Sequence, residues 1–285
     1  MEQFVDLHVH TTISDGTLTP TEVVELAAEK GLRAITISDH DTTAGVKEAQ
    51  LAGKKYHVQI IPGIEVSTYI EGVGSMHMVG LGLDLDNKRL QQALDELVQG
   101  REVRNTNILR KLRELGYEVE EERVRELAGG AVVGRLHIAT AMMEKNYVAS
   151  LHEAFDCYLG SGKPAYMHRR RFTPEESIAM IREAGGVAVM AHPFSLRLDR
   201  DQLERHIRNM AEIGLGGIEI LYPEHTAEFR EYLFKIAEKY HLAPSGGSDF
   251  HGANKPGIEL GSQRVPVSFL KALHIAYEQE AKKLV

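Results

Sequence analysis

Short apolar runs alternate with amphipathic segments through the first 62 residues and again late in the chain. No other feature restricts the fold as much. "QFVDLHV" reads as a strand, "TPTEVVELAAEKG" as a helix with Pro20 near its start and Gly31 after it, and "RAITIS" as a buried second strand. A helix, "TTAGVKEAQLAGKKY", and a third strand, "VQIIPG", follow. The late half gives helix "TPEESIAMIREAGG", strand "VAVMAH", helix "RDQLERHIRNMAEIG", strand "GGIEIL", helix "PEHTAEFREYLFKIAEKY" and the strand-like "LAPSGGSD". Strands separated by such helices run parallel, joined by crossovers. Residues 87–162 read as helices with no strand. The expectation is an α/β chain: a β/α barrel-like body, residues 1–86 and 163–285, with a helical insertion at 87–162.

A chain of 285 residues, 43% hydrophobic, can bury a sizeable core. It holds no run of about 18 apolar residues that would suggest a membrane helix. The N-terminus lacks the basic-then-apolar pattern of a signal peptide. Cys157, the only cysteine, is expected as a small core residue; no disulfide can form within the chain, and the cytoplasm is the expected compartment. The net charge of -8 argues against nonspecific coating of nucleic acid. Residues 87–171 balance at +3 and the remainder at -11, so the middle of the chain suits an anionic substrate.

The polar residues gather where strands end. His8 and His10 close the first strand two residues apart, a spacing that turns both imidazoles to one side. Asp15 follows closely, "SDHD" with His40 closes the second strand, and Glu65 follows the third. His77 lies in "SMHMVGLG", a further strand; His192 closes "VAVMAHP", and Asp249 and His251 lie in "GGSDFHG". The carboxyl ends of barrel strands surround one mouth, so these side chains converge there. Imidazole and carboxylate without thiolate suit Zn, Mn or Fe. Nine ligands exceed one tetrahedral site and imply two or three divalent ions, with a carboxylate such as Glu65 able to bridge two. Asp39 and Asp41 flank His40 and are placed to orient it, while Glu219 either supports a ligand or only closes its strand. His57, His206, His241 and His274 fall on helices or their ends, where solvent exposure is the simpler reading. "HEAFD" lacks the second histidine of a zincin helix, and no phosphate-binding P-loop or G-x-S-x-G elbow is present.

"DLHVHTTISDGTLTPTEVVELAAEKGLRAITISDHDT", "PGIEVS", "GGVAVMAHP" and "GGSDFHG" closely resemble the PHP (polymerase and histidinol phosphatase) family of metal-dependent phosphoesterases. The resemblance covers residues 4–86 and 163–255. It implies a distorted seven-stranded β/α barrel with a two- or three-metal cluster. It also implies three ligand sets: His8, His10, Glu65 and Asp249; Glu65, His77 and His192; and Asp15, His40 and His251. Asp15 stands where some members carry histidine. The insertion, with "GRLHIA", "GKPAY" and "YPEHTAEF", resembles the branch of nucleoside 3′,5′-bisphosphate phosphatases and 5′-to-3′ exoribonucleases acting on short RNA. That branch implies a second anion site, for which Arg135, His137, Lys163, His168, Arg169 and His225 are candidates.

These readings together describe a cytoplasmic hydrolase of phosphate monoesters. Water activated on the ions attacks phosphorus in line, and His192 or His251 protonates the leaving oxygen. Glu65 bridges the ions. The expected partner is a small phosphorylated nucleotide or short RNA, with no membrane and no stable nucleic-acid complex. Histidinol phosphate is a rival substrate that needs no second phosphate site. A non-catalytic metal-binding module is the rival of a different class.

Overall fold

The computed structural model describes residues 3–129, 133–168 and 171–273. In chain order the elements are β1 (Phe4–Val9), α1 (Pro20–Glu29), β2 (Ala34–Ile37), α2 (Val46–Tyr56), β3 (Gln59–Ile70), β4 (Gly74–Leu81), α3 (Lys88–Glu114), α4 (Glu121–Ala128), α5 (Arg135–Glu144) and α6 (Leu151–Ala154). There follow α7 (Pro174–Glu183), β5 (Val187–Met190), α8 (Arg200–Glu212), β6 (Gly217–Leu221), α9 (Ala227–Lys239), β7 (Ala243–Gly246) and β8 (Val265–Pro266). They form two compact units: Met1–Ala93 with Arg171–Val285, and Leu94–Arg170.

In the first unit the strands lie in the order β7-β6-β5-β4-β3-β2-β1-β8. Neighbours are parallel except that β4 is antiparallel to β3 and β5, and β8 to β1. The chain after β7 closes the barrel. Val9 and Phe250 form a parallel bridge, the Asp249 amide donates to the His8 carbonyl (2.9 Å), and the His10 amide donates to the Phe250 carbonyl (3.0 Å). Gly247 permits this approach, because a Cβ there would lie 2.4 Å from the Cβ of His8. The buried Asp6 carboxylate adds a polar lock, accepting from the Ser248 amide and hydroxyl and from the Gly261 amide (2.9, 2.6 and 2.8 Å).

Seven strands thus make the distorted barrel, and β8 is a two-residue addition to its edge. It pairs only with Phe4 and Val5, too short a stretch to leave a periodic signal. The third strand also runs further than "VQIIPG" suggests. Pro62 is the last residue paired with β2, where a missing N–H costs the ladder little, and beyond it β3 continues into a hairpin with β4. Gly72, at φ 76°, provides the left-handed residue of that turn.

The helices begin where their sequences dictate. Thr19 and Glu22 form a capping box ahead of α1, as do Thr173 and Glu176 ahead of α7, each with proline in the first turn. Val23, Val24 and Ala27 of α1, with Val46 and Ala49 of α2, pack on Val9, Ile35 and Ile37. The second unit has its own core, in which Ile108 and Leu112 of α3 meet Val124, Ile138 and Met142. Cys157 is exposed, contrary to the expectation of a core position. It lies in a π-helical turn, Phe155–Leu159, from which only Leu159 is buried. Arg169 and His274 lie outside the described residues.

Candidate metal centre

Glu65 is the hub. It lies halfway along β3, 1% exposed, and five imidazoles approach its carboxylate. His8 Nε2, His77 Nδ1 and His192 Nε2 stand 3.3, 3.0 and 3.0 Å from Oε1, and His10 Nε2 and His40 Nδ1 stand 3.2 and 2.9 Å from Oε2. The topology explains how distant residues meet. His8 is the penultimate residue of β1, and His10 lies one residue beyond the strand. His40 forms a parallel bridge with Glu65 itself. The reversed direction of β4 brings its amino half, with His77, to the same mouth.

Asp249 completes a first group: its Oδ1 is 3.6 Å from His8 Nε2 and 3.3 Å from His10 Nε2, and those two nitrogens are 3.1 Å apart. Asp15 anchors another, with Oδ1 3.2 Å from His251 Nε2 and Oδ2 3.6 Å from His40 Nε2. Donor atoms gather in four sets: His10, Asp15, His40 and His251; His8, His10 and Asp249; His8, Glu65 and His192; and His40, Glu65 and His77. All nine candidate ligands therefore meet at one mouth. His8, His10 and His40 each fall in two sets, where the family resemblance implies one set apiece.

These spacings fit ions. Atoms about 2.1 Å from one tetrahedral ion stand about 3.4 Å from one another, and about 3.0 Å when they subtend a right angle. Two facing ring nitrogens such as those of His8 and His10 have no reason to approach unless a proton or a cation lies between them. His40 Nδ1 makes the same point: it is buried and 2.9 Å from Glu65 Oε2, yet makes no hydrogen bond.

Other residues fix which nitrogen faces inward. Glu219 accepts from His8 Nδ1 (3.1 Å) with Oε1 and from the His192 amide (2.7 Å) with Oε2. It supports two ligands and does more than close β6. Ser195 Oγ meets His192 Nδ1 (3.0 Å), and the Asp249 carbonyl accepts from His251 Nδ1 (2.9 Å). In each case Nε2 is left for the cluster. Asp39 does not orient His40. Its oxygens hold the Thr11 amide, the Thr11 hydroxyl and the Ser14 hydroxyl (2.8, 2.8 and 2.7 Å), pinning the loop that carries Asp15. Asp41 holds Ser67 from a left-handed backbone, φ 57°. His192 and Asp249 also have positive φ, 26° and 53°, and such strain concentrates at functional sites.

The electrostatics are those of a cation site filled by protons. Burial alone would lower His8 and His10. The surrounding carboxylates outweigh it: Glu65, Glu219 and Asp249 raise His8 well above its usual value, and hydrogen bonds to Asp249 and Glu65 push His10 up to about 10. His192 is raised for the same reason, while burial wins at His77 and lowers it. Glu65 and Asp249 are held well below the usual carboxylate range, because nearby imidazoles overcome the opposing effect of burial.

The anion-site candidates fall in different places. In the second unit Arg135 donates to the Leu159 carbonyl (2.9 Å) and lies over the Phe155 and Tyr166 rings. His168 is exposed and meets the same Tyr166 edge-on, and Lys163 is exposed. His137 Nδ1 accepts from the Gly134 amide at the start of α5 (3.0 Å). His225 belongs to the first unit. It is buried against Tyr222 and Phe229, and burial lowers its pKa, favouring the uncharged ring. Sequence reasoning missed Tyr222 and Lys255, which both bind Asp249.

A closed β/α barrel whose mouth gathers six imidazoles and three carboxylates defines a metal-dependent phosphoesterase. The PHP domain family matches residues 6–220, and the chain belongs to that family. It is 35% identical over 251 residues to a 5′-3′ exoribonuclease of Haemophilus influenzae, covering 88% of this chain and 91% of that protein. It is 32% identical over 265 residues to a 3′,5′-nucleoside bisphosphate phosphatase of Chromobacterium violaceum, covering 90% of each. Among solved structures, a Bifidobacterium adolescentis protein assigned as a metal-dependent phosphoesterase superposes with a TM-score of 0.83 at 30% identity, over 96% of both chains.

Proposed function

We propose that this chain removes the 3′-phosphate of nucleoside 3′,5′-bisphosphates and also degrades short 5′-phosphorylated RNA exonucleolytically. The observation that carries a phosphoesterase reading is Glu65, one buried carboxylate met by five imidazoles. The two relatives at 32 and 35% identity, acting on a nucleoside bisphosphate and on RNA, support the nucleotide class.

His8, His10, Glu65 and Asp249 would hold one ion, Glu65, His77 and His192 a second, and Asp15, His40 and His251 a third. Bound there, Mn, Zn or Fe supplies Lewis acidity toward a phosphoryl oxygen and makes water available as a nucleophile near neutral pH. Glu219, Ser195 and the Asp249 carbonyl keep the ring nitrogens of His8, His192 and His251 turned inward. His192 or His251, whose side chains are 10 and 12% exposed, would supply the leaving oxygen's proton in the state in which its Nε2 is free of an ion. Arg135, His137, Lys163, His168 and Arg169 bind the second phosphate, which selects the substrate and contributes binding energy to orientation. Among the described residues no helix is long and apolar enough to cross a membrane, and we place the protein in the cytoplasm, in keeping with its single cysteine.

Phosphate release by the Mn-loaded protein tests the reading, with adenosine 3′,5′-bisphosphate, AMP, histidinol phosphate and a short 5′-phosphorylated RNA compared. The expected order puts the bisphosphate first, with AMP accumulating. Preference for histidinol phosphate would refute the substrate assignment, and no release from any of them would favour a metal-binding module.

A further inference from the structure

Asp249 is held from both sides. Its Oδ1 faces His8 and His10. Its Oδ2 turns away and is occupied: Lys255 Nζ donates to it at 2.6 Å and the Tyr222 hydroxyl at 2.9 Å. Lys255 Nζ also donates to the Tyr222 oxygen (3.0 Å), so the three groups form a closed triangle. Tyr222 is 5% exposed and its ring lies against His192 and His225. Lys255 is anchored as well. Its backbone follows a 3-10 turn, Gly252–Asn254, that the Thr17 hydroxyl and the Asp15 carbonyl tie down at Ala253 and Asn254 (2.9 and 2.8 Å).

An ammonium on a ligand carboxylate is costly for a metal site, because it competes with the ion for the same negative charge and repels the ion itself. Its compensation is geometric. A carboxylate free to rotate can give a metal both oxygens and fill two coordination positions. A catalytic site needs one position kept for water or substrate. We propose that Lys255 and Tyr222 withhold Asp249 Oδ2 from the cluster, limiting this carboxylate to one-oxygen ligation and keeping a coordination position open for a phosphoryl oxygen. Both are positioning residues acting through Asp249. The proposal rests on Asp249 being a metal ligand and does not depend on which phosphate ester is hydrolysed.

The test compares Lys255→Met, Lys255→Arg and Tyr222→Phe in the full chain. Mn2+ affinity and stoichiometry are read by chelator competition, and binding of inorganic phosphate to the Mn-loaded protein by calorimetry. With a repelling cation removed and the second oxygen freed, Lys255→Met is expected to keep the wild-type number of ions, to hold Mn2+ about tenfold more tightly and to bind phosphate at least about tenfold more weakly. Lys255→Arg restores both values, since a guanidinium can occupy the same oxygen. Tyr222→Phe moves both in the same directions by less, and it serves if Lys255→Met fails to fold. A residue with a merely structural role would give the opposite sign: looser Mn2+ in Lys255→Met, or unchanged phosphate binding, overturns the proposal. Neither readout requires turnover, so a wild-type protein inactive on bisphosphates would refute the substrate assignment and leave this test intact.

Discussion

Glu219→Gln isolates the support of two ligands in one isosteric change. Glu219 accepts from two donors at once, His8 Nδ1 and the His192 amide. Glutamine has one acceptor oxygen and one amino group, so it can satisfy only one of them. The His192 amide has no alternative state and keeps the oxygen. The amino group then faces His8 Nδ1, which can accept it only by shifting its own proton to Nε2, the atom that points at Glu65 and Asp249. A protonated Nε2 cannot ligate. Removal of such a partner costs 10–100-fold in metal affinity, about 1.4–2.7 kcal/mol. The loss falls on the ion shared by His8 and His10. The assay is competition with a chromophoric chelator, with phosphate release followed in the same samples. Folding is controlled separately, by thermal melting of the metal-free protein. Unaltered affinity at every site, together with unaltered turnover, would refute the assigned role of Glu219.

Other consequences are as direct. His10→Ala removes a ring that reaches Glu65, Asp249 and Asp15, and it should lower bound metal, measured by atomic emission, and abolish phosphate release. The raised values of His8, His10 and His192 mean that metal binding at pH 7 must expel protons, so affinity should rise with pH, and calorimetry in buffers of different ionisation heat should count proton release. In the metal-free chain the sign is opposite for stability. The stabilisation from His10 is complete below its unfolded value near 6.5 and is lost as pH rises through about 10, so the metal-free melting temperature should fall over that window. Gly247→Ala drives a Cβ against His8 where the barrel closes, and it should destabilise the chain by about 1–3 kcal/mol or more in denaturant melts while loosening metal at His8.

Much of this architecture was legible because it is periodic. The strands β1, β2, β5 and β6 and the capped helices α1, α7 and α8 announce themselves by apolar runs and by Thr, Asp and Pro at helix starts. The nine candidate ligands were legible because histidines and carboxylates end several barrel strands at once and so converge on one mouth. What escaped was whatever depends on closure. The reversal of β4 is set by a three-residue turn, and β8 exists only because two residues reach the edge of β1. Tyr222 and Lys255 are 33 residues apart and converge on Asp249 only once the barrel has closed. Asp39 misled for a related reason: adjacency to His40 suggested a partner, but the strand turns its carboxylate toward Thr11 and Ser14.

The central claim is that the side chains around Glu65 bind the ions that hydrolyse a nucleotide phosphate ester. Mn2+ titration of chelator-stripped protein, with bound ions per chain and phosphate release from adenosine 3′,5′-bisphosphate measured together, tests it most directly. The account predicts no release from the stripped protein and full release once two or three ions are bound, with AMP as the nucleotide product. Full activity in the stripped protein, or none with the ions bound, would contradict it.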